Sequence, residues 1–139
     1  MATACEKGYS AENDLHNRLL DKEFVVMRAY KSKGPFDLMA ACKGFRPLLI
    51  EVKNYKAMND EPNGKVNKKV IKRLKQTVNI RKLYEISQMT DSFPLIAFKI
   101  IRKGYLFYRL DYDVGHMVKF KELGSGLRDV LRLPPKFTS

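Results

Sequence analysis

Phe36-Asp37-Leu38-Met39-Ala40-Ala41-Cys42-Lys43-Gly44-Phe45-Arg46-Pro47-Leu48-Leu49-Ile50-Glu51-Val52-Lys53 contains two short apolar runs around a turn at Lys43-Gly44-Phe45. The runs read as strands over residues 36–42 and 47–53. Side chains alternate across a strand, so Leu48, Ile50 and Val52 share one face while Leu49, Glu51 and Lys53 share the other. An acid and a lysine thus project from the same side at the end of a buried-type strand. If the two strands close as a hairpin, Asp37 and Glu51 come near one another across it, because the midpoint of positions 37 and 51 is Gly44.

Two carboxylates converging on one point repel unless a cation lies between them. Mg²⁺ suits such a place, since it takes hard oxygen ligands, often one or two carboxylates with water and substrate phosphate. A nearby ammonium such as Lys53 can orient an attacking water or stabilise charge building on the phosphate. A lone E-x-K triplet also occurs on ordinary surface strands. Its placement here, after an apolar run and opposite an acid on the preceding strand, gives it more weight.

Upstream, Gly8-Tyr9-Ser10 precedes a helical pattern that sets Ala11, Leu15, Leu19 and Leu20 on one face. Ser10 reads as its N-cap, with Glu12 in the first turn, where the helix dipole tolerates a carboxylate. Residues 24–30 read as a strand and Lys31-Ser32-Lys33-Gly34-Pro35 as a turn. Downstream, residues 59–64 have loop composition, and from Lys65 to about Met89 the pattern is helical in two phases. Val70, Leu74 and Val78 form one stripe, Ile80, Leu83, Ile86 and Met89 another, which predicts a break near residues 76–79. Residues 94–101 read as a buried strand, Arg102-Lys103-Gly104 as a tight turn and residues 105–110 as the hairpin partner. Residues 127–133 read as a short helix stopped by Pro134-Pro135. The order predicts an α/β fold: a central mixed β-sheet of about five strands flanked by helices.

The chain has 139 residues, 27 Lys+Arg against 15 Asp+Glu and a formal net charge of +12. A single domain over 1–139 is expected at this length. With 45% apolar residues the chain can bury a core, which excludes a wholly disordered basic tail. The charge speaks to partners: nucleic acid first, with an acidic protein or an anionic membrane surface as the rival. No apolar run approaches the ~20 residues that span a bilayer, and the N-terminal residues lack a signal-like apolar stretch, so an intracellular soluble protein is expected. Cys5 and Cys42 form no C-x-x-C, and His16 and His116 lack partners at zinc-ligand spacing. Between Lys65 and Lys82 there are eight basic residues and no acid. Solvated helices usually interleave acids for pairing at i,i+4, so this run favours a phosphate-tracking surface. No base-reading motif is visible, which fits recognition of nucleic-acid shape.

Asp37, then Glu51-Val52-Lys53 after an apolar run, resembles the D…E-x-K core of the PD-(D/E)xK nuclease superfamily. The flanking residues resemble the archaeal-type Holliday-junction resolvases within it. They are Lys7-Gly8-Tyr9-Ser10-Ala11-Glu12 opening a helix, Phe24-Val25-Val26-Met27-Arg28, Ser32, and later Pro94-Leu95-Ile96-Ala97-Phe98-Lys99. That family carries G-x-x-x-E at the first helix, an apolar strand ending in Arg and a mobile loop bearing a Ser. The chain departs from the pattern in having Phe36 before Asp37, with Pro35 one place earlier, and a short loop between Arg28 and Asp37.

The resemblance implies a structure-specific endonuclease that resolves four-way DNA junctions by paired, metal-dependent phosphodiester hydrolysis. Asp37, Glu51 and the backbone carbonyl of Val52 would bind Mg²⁺, with Mn²⁺ as a substitute, and Glu12 would complete the acidic cluster directly or through water. Lys53 would position or activate the attacking water, Arg28 would contact phosphate, and Ser32 would act from the loop closing over the DNA strand. Lys31, Lys33, Lys68, Lys72 and Arg73 are expected on the DNA. The nuclease core is expected over about residues 7–110, with 111–139 as a C-terminal extension. A junction needs two matched nicks, so a homodimer is expected, joined through residues 105–110 as an edge strand or through Leu127, Val130 and Leu131. No membrane and no small-molecule cofactor are expected. The expected location is the cytoplasm, on the nucleoid, or the host cytoplasm if the protein is virus-encoded. Two other readings are another PD-(D/E)xK endonuclease of restriction or repair type, and a non-catalytic basic DNA-binding protein. The acids weigh against the second, since binding alone needs no carboxylates facing phosphate.

Overall fold

Ala11, Leu15 and Leu19 recur every fourth residue, and burying this stripe seats α1 (Ala4–Asp21) on one face of a six-stranded sheet. The computed structural model describes residues 4–29, 35–55, 68–100, 104–112 and 118–130. The strands are β1 (Val25–Arg28), β2 (Leu38–Ala41), β3 (Leu48–Tyr55), β4 (Phe93–Ile100), β5 (Gly104–Tyr112) and β6 (Val118–Gly124), and they neighbour one another in that order. Every pairing is antiparallel except β3 with β4, which run parallel. Parallel neighbours need a crossover, and α2 (Lys68–Lys75) and α3 (Val78–Met89) lie within it. The chain therefore forms the mixed sheet flanked by helices that the sequence predicts.

The two faces of the sheet hold two cores. Leu48, Ile50 and Val52 of β3 pack with Leu38, Leu95, Phe107 and the α1 stripe. On the opposite face Leu49 joins Ile96, Phe98, Leu106 and Tyr108 beneath Ile80 and Leu83 of α3. The alternation predicted for β3 thus separates its apolar residues between the two cores. The change of stripe in the helical region is also where expected. Thr77 caps α3 by accepting from the Ile80 amide at 3.4 Å, while its hydroxyl donates to the Leu74 carbonyl at 2.7 Å.

The β2–β3 hairpin pairs Leu38 with Ile50 and Ala40 with Leu48, a register symmetrical about residue 44. Gly44 has φ +89°, left-handed backbone that a glycine adopts without a side-chain penalty.

Several expectations are corrected. α1 begins at Ala4, so Ser10 lies within the helix and is not its N-cap, and Glu12 lies outside the first turn. One interior glycine costs only about 1 kcal/mol relative to alanine, too little to end a helix whose following turns are held by a buried stripe. A sixth strand, β6, pairs with β5 from Phe107 to Tyr112, so β5 is an interior strand of the sheet and not the edge expected for a dimer. Tyr105, Phe107 and Tyr108 are core residues. The tail has core partners too: within α4 (Leu127–Val130), Val130 is buried in the α1-side core and Leu127 packs against it. Leu131 lies outside the described residues, as do Lys31, Ser32, Lys33, Lys65 and the expected loop at 59–64. Among the described residues no helix is long and apolar enough to cross a membrane.

Candidate active site

Asp37 stands one residue ahead of β2, and its backbone amide donates to the Ile50 carbonyl at 2.8 Å. Its side chain then reaches β3, where Oδ2 accepts from the Val52 amide at 2.7 Å in a buried hydrogen bond. The register of the hairpin thus delivers a carboxylate, only 5% exposed, to the middle of the apolar strand. Within a strand the N–H and C=O of one residue point to the same neighbour, so the Val52 carbonyl is directed to this same edge of β3.

Glu51 precedes Val52 and projects from the other face of β3. Lys53, two residues on, shares that face and places Nζ 3.1 Å from Glu51 Oε1. From α1, Glu12 enters the cluster, and Arg28 at the end of β1 donates from Nη2 to Glu12 Oε2 at 3.2 Å. Asp37 is close enough to both glutamates for its charge to raise their carboxyls. One helix and three consecutive strand segments therefore bring Glu12, Arg28, Asp37, Glu51, Val52 and Lys53 together.

The electrostatics follow from crowding acids in a half-buried place. Burial pushes the Glu51 carboxyl up to about 7, the charge of Asp37 adds to this, and Lys53 opposes it. Glu12 is raised in the same way, by burial first and by Asp37 second, with Arg28 opposing. Among the described residues two cations, Arg28 and Lys53, are paired with these acids. The donors are carboxylate oxygens with a strand carbonyl at their edge, a hard oxygen set that fits Mg²⁺ or Mn²⁺. Among the described residues no group of three or more His, Cys, Asp or Glu is placed to hold a metal ion. Mg²⁺ does not require one, because it commonly takes one or two carboxylates and fills its remaining positions with water and substrate oxygens.

Other residues singled out from the sequence lie elsewhere. Lys72 and Arg73 are exposed on α2, and Lys68 begins that helix. Neighbouring Lys75 places Nζ 5.8 Å from the centre of the Phe120 ring on β6, three strands from β3. Lys31, Ser32 and Lys33 are outside the described residues. Two features had no signal in the sequence. Arg28 meets Glu12 across sixteen positions, and Tyr105 bonds to α1 across more than ninety.

Residues 3–134 match the family model of the archaeal Holliday junction resolvases (hjc). The structure is similar to that of Hjc, a Holliday junction resolvase from the archaeal hyperthermophile Archaeoglobus fulgidus, with a TM-score of 0.57 and 19% sequence identity. The likeness covers 96% of this chain and 99% of the other, and at that identity it is a likeness of fold. No curated protein sequence matches the chain.

The raised carboxyls make a stability prediction. Folding holds the Glu12 and Glu51 protons more tightly than the unfolded chain does, so this contribution is complete below the ordinary value of 4.5 and is lost as pH rises through about 7. The melting temperature of metal-free protein should fall from about pH 5 to about pH 8, with Glu51 accounting for roughly 3 kcal/mol and Glu51→Gln flattening the curve. Added Mn²⁺ should raise the melting temperature more at the upper end of that range. Equal stabilisation at both ends, measured by calorimetry, would place the cation elsewhere.

Proposed function

The chain belongs to the archaeal Holliday junction resolvase family, and we propose that it is a divalent-metal-dependent endonuclease that cuts four-way DNA junctions as a homodimer. The family is one of nucleases of DNA recombination and repair. The observation that carries the finer reading is the Asp37 carboxylate 2.7 Å from the Val52 amide, beside Glu51, with Lys53 3.1 Å from Glu51 on the same face.

Asp37, Glu51 and the Val52 carbonyl are the residues that would hold Mg²⁺ or Mn²⁺, with Glu12 completing the set directly or through water. When bound, the cation supplies positive charge beside the scissile phosphate and makes a neighbouring water more acidic. The chain's own groups do the rest. Lys53 aims its ammonium at the attacking water and at the charge developing on the phosphate as the new P–O bond forms and the bond to the leaving oxygen breaks. Arg28, partly exposed beside Glu12, offers guanidinium N–H groups to a phosphate oxygen. Ser32, Lys31 and Lys33 belong to the segment between β1 and β2 and act on the strand being cut. Lys68, Lys72 and Arg73 on α2 track phosphates of the branched DNA. The setting of this activity is the cytoplasm, on DNA.

Cleavage of a synthetic four-way junction beside linear duplex tests the reading. Mg²⁺ should support cutting of the junction, EDTA should stop it, and equal cutting of both substrates would leave only a general PD-(D/E)xK nuclease. Asp37→Asn and Glu51→Gln should abolish cleavage while preserving or tightening junction binding, since each removes negative charge facing phosphate. Lys53→Ala should lose cleavage and keep Mn²⁺ binding.

For the basic helix, Lys72→Ala and Arg73→Ala should each lower the slope of log K against log salt by ~0.9, alike for junctions of any sequence. An unchanged slope would return α2 to an ordinary solvated face.

Two matched nicks call for two sites related by a two-fold axis, and this chain carries one set of site residues. Sedimentation at micromolar concentration should show a dimer, free and on junction DNA. A monomer in both states would overturn the paired-nick mechanism.

A further inference from the structure

Tyr105 is 2% exposed, 94 positions from the helix residue it bonds. Its hydroxyl lies 2.8 Å from the Ala11 carbonyl and 2.9 Å from Asp14 Oδ2, and one proton serves both acceptors. The same Asp14 oxygen pairs with Arg18 Nε at 3.0 Å and with Lys99 Nζ at 3.7 Å. Both cations also lie over the Tyr105 ring, at 5.2 Å for Arg18 and 4.7 Å for Lys99. The cluster ties α1 to β4 and β5, while the proposed chemistry sits on β2 and β3. It contains no member of the acid site, yet it grips α1 at Ala11, the residue next to Glu12.

The apolar stripe of α1 holds the helix onto the sheet but is non-directional, so it resists lifting better than sliding along the axis. A slide by one residue is only ~1.5 Å. Such a displacement would lengthen the 3.2 Å bond between Arg28 and Glu12 beyond hydrogen-bonding range. A directional bond to the backbone carbonyl beside Glu12 removes that freedom. We infer that Tyr105, with Asp14, is a positioning residue of the nuclease site: it sets the axial register of α1 and so the reach of Glu12 into the Asp37 and Glu51 pair. The inference rests on the reading of Glu12 as part of the cation site.

The test is a double-mutant cycle of Tyr105→Phe with Glu12→Gln, read by calorimetric titration with Mn²⁺ alone and by single-turnover cleavage of a four-way junction. Tyr105→Phe keeps the ring and deletes the hydroxyl. It should slow cleavage roughly tenfold or more and weaken Mn²⁺ binding several-fold, with junction affinity unchanged. In the Glu12→Gln background the same substitution should change Mn²⁺ affinity by less than about twofold, because the residue it acts through is already gone. Asp14→Ala, at a half-exposed position, should repeat this pattern more weakly and serves if Tyr105→Phe fails to fold. Full, multiplicative losses in both backgrounds would overturn the positioning role and leave the nuclease reading intact. Wild-type Mn²⁺ affinity and cleavage in Glu12→Gln would overturn the inference together with the placement of Glu12 in the site.

Discussion

The register of β2 on β3 is the constraint on which the site depends. Pairing Leu38 with Ile50 brings Asp37 to the Val52 amide, and that buried 2.7 Å bond holds a carboxylate where three acids meet. A slip by one residue would carry Leu38 and Ala40 out of the α1-side core and remove Asp37 from Glu51 at once. Packing and chemistry are therefore specified by the same hydrogen-bond ladder. The apolar side chains that make the slip costly protect the geometry of the polar ones.

Much of this was legible in the sequence because the relevant contacts are local. A hairpin symmetrical about Gly44 can be read from two apolar runs and a turn, and alternation along residues 48–53 places Glu51 and Lys53 together without knowledge of the rest. The break between α2 and α3 showed in the change of apolar stripe. Other features were hidden for definite reasons. Gly8 and Ser10 resemble a helix start, yet the buried stripe downstream carries the helix back to Ala4. β6 alternates apolar and charged residues over Val118-Lys119-Phe120-Lys121, and Glu122 then breaks the alternation, a weak strand signal diluted by its charges. The pairing of Arg28 with Glu12 and the bond from Tyr105 to Ala11 depend on how separate elements stack, and no local pattern carries that information.

Charge is segregated as well as abundant. The chain carries twelve excess positive charges, and among the described residues Arg28 and Lys53 pair with the acids. Lys75, at the end of α2, lies against the Phe120 ring on β6. The arrangement keeps a place of negative character on a molecule whose overall field attracts polyanions.

The single parallel pairing, β3 with β4, also bears on how the molecule assembles. Asp37 and Glu51 flank a hairpin whose strands are joined by a short loop, whereas Leu48 and Phe93 pair across the whole crossover. Loop-closure entropy rises with loop length, and non-local pairings form late. The hairpin that gathers the acids can therefore close early in folding, before β4 and β5 arrive to cover β3 and tether α1. Until then its repelling carboxylates work against compaction, so the rate at which the chain folds should depend on their protonation more than its apolar composition alone implies.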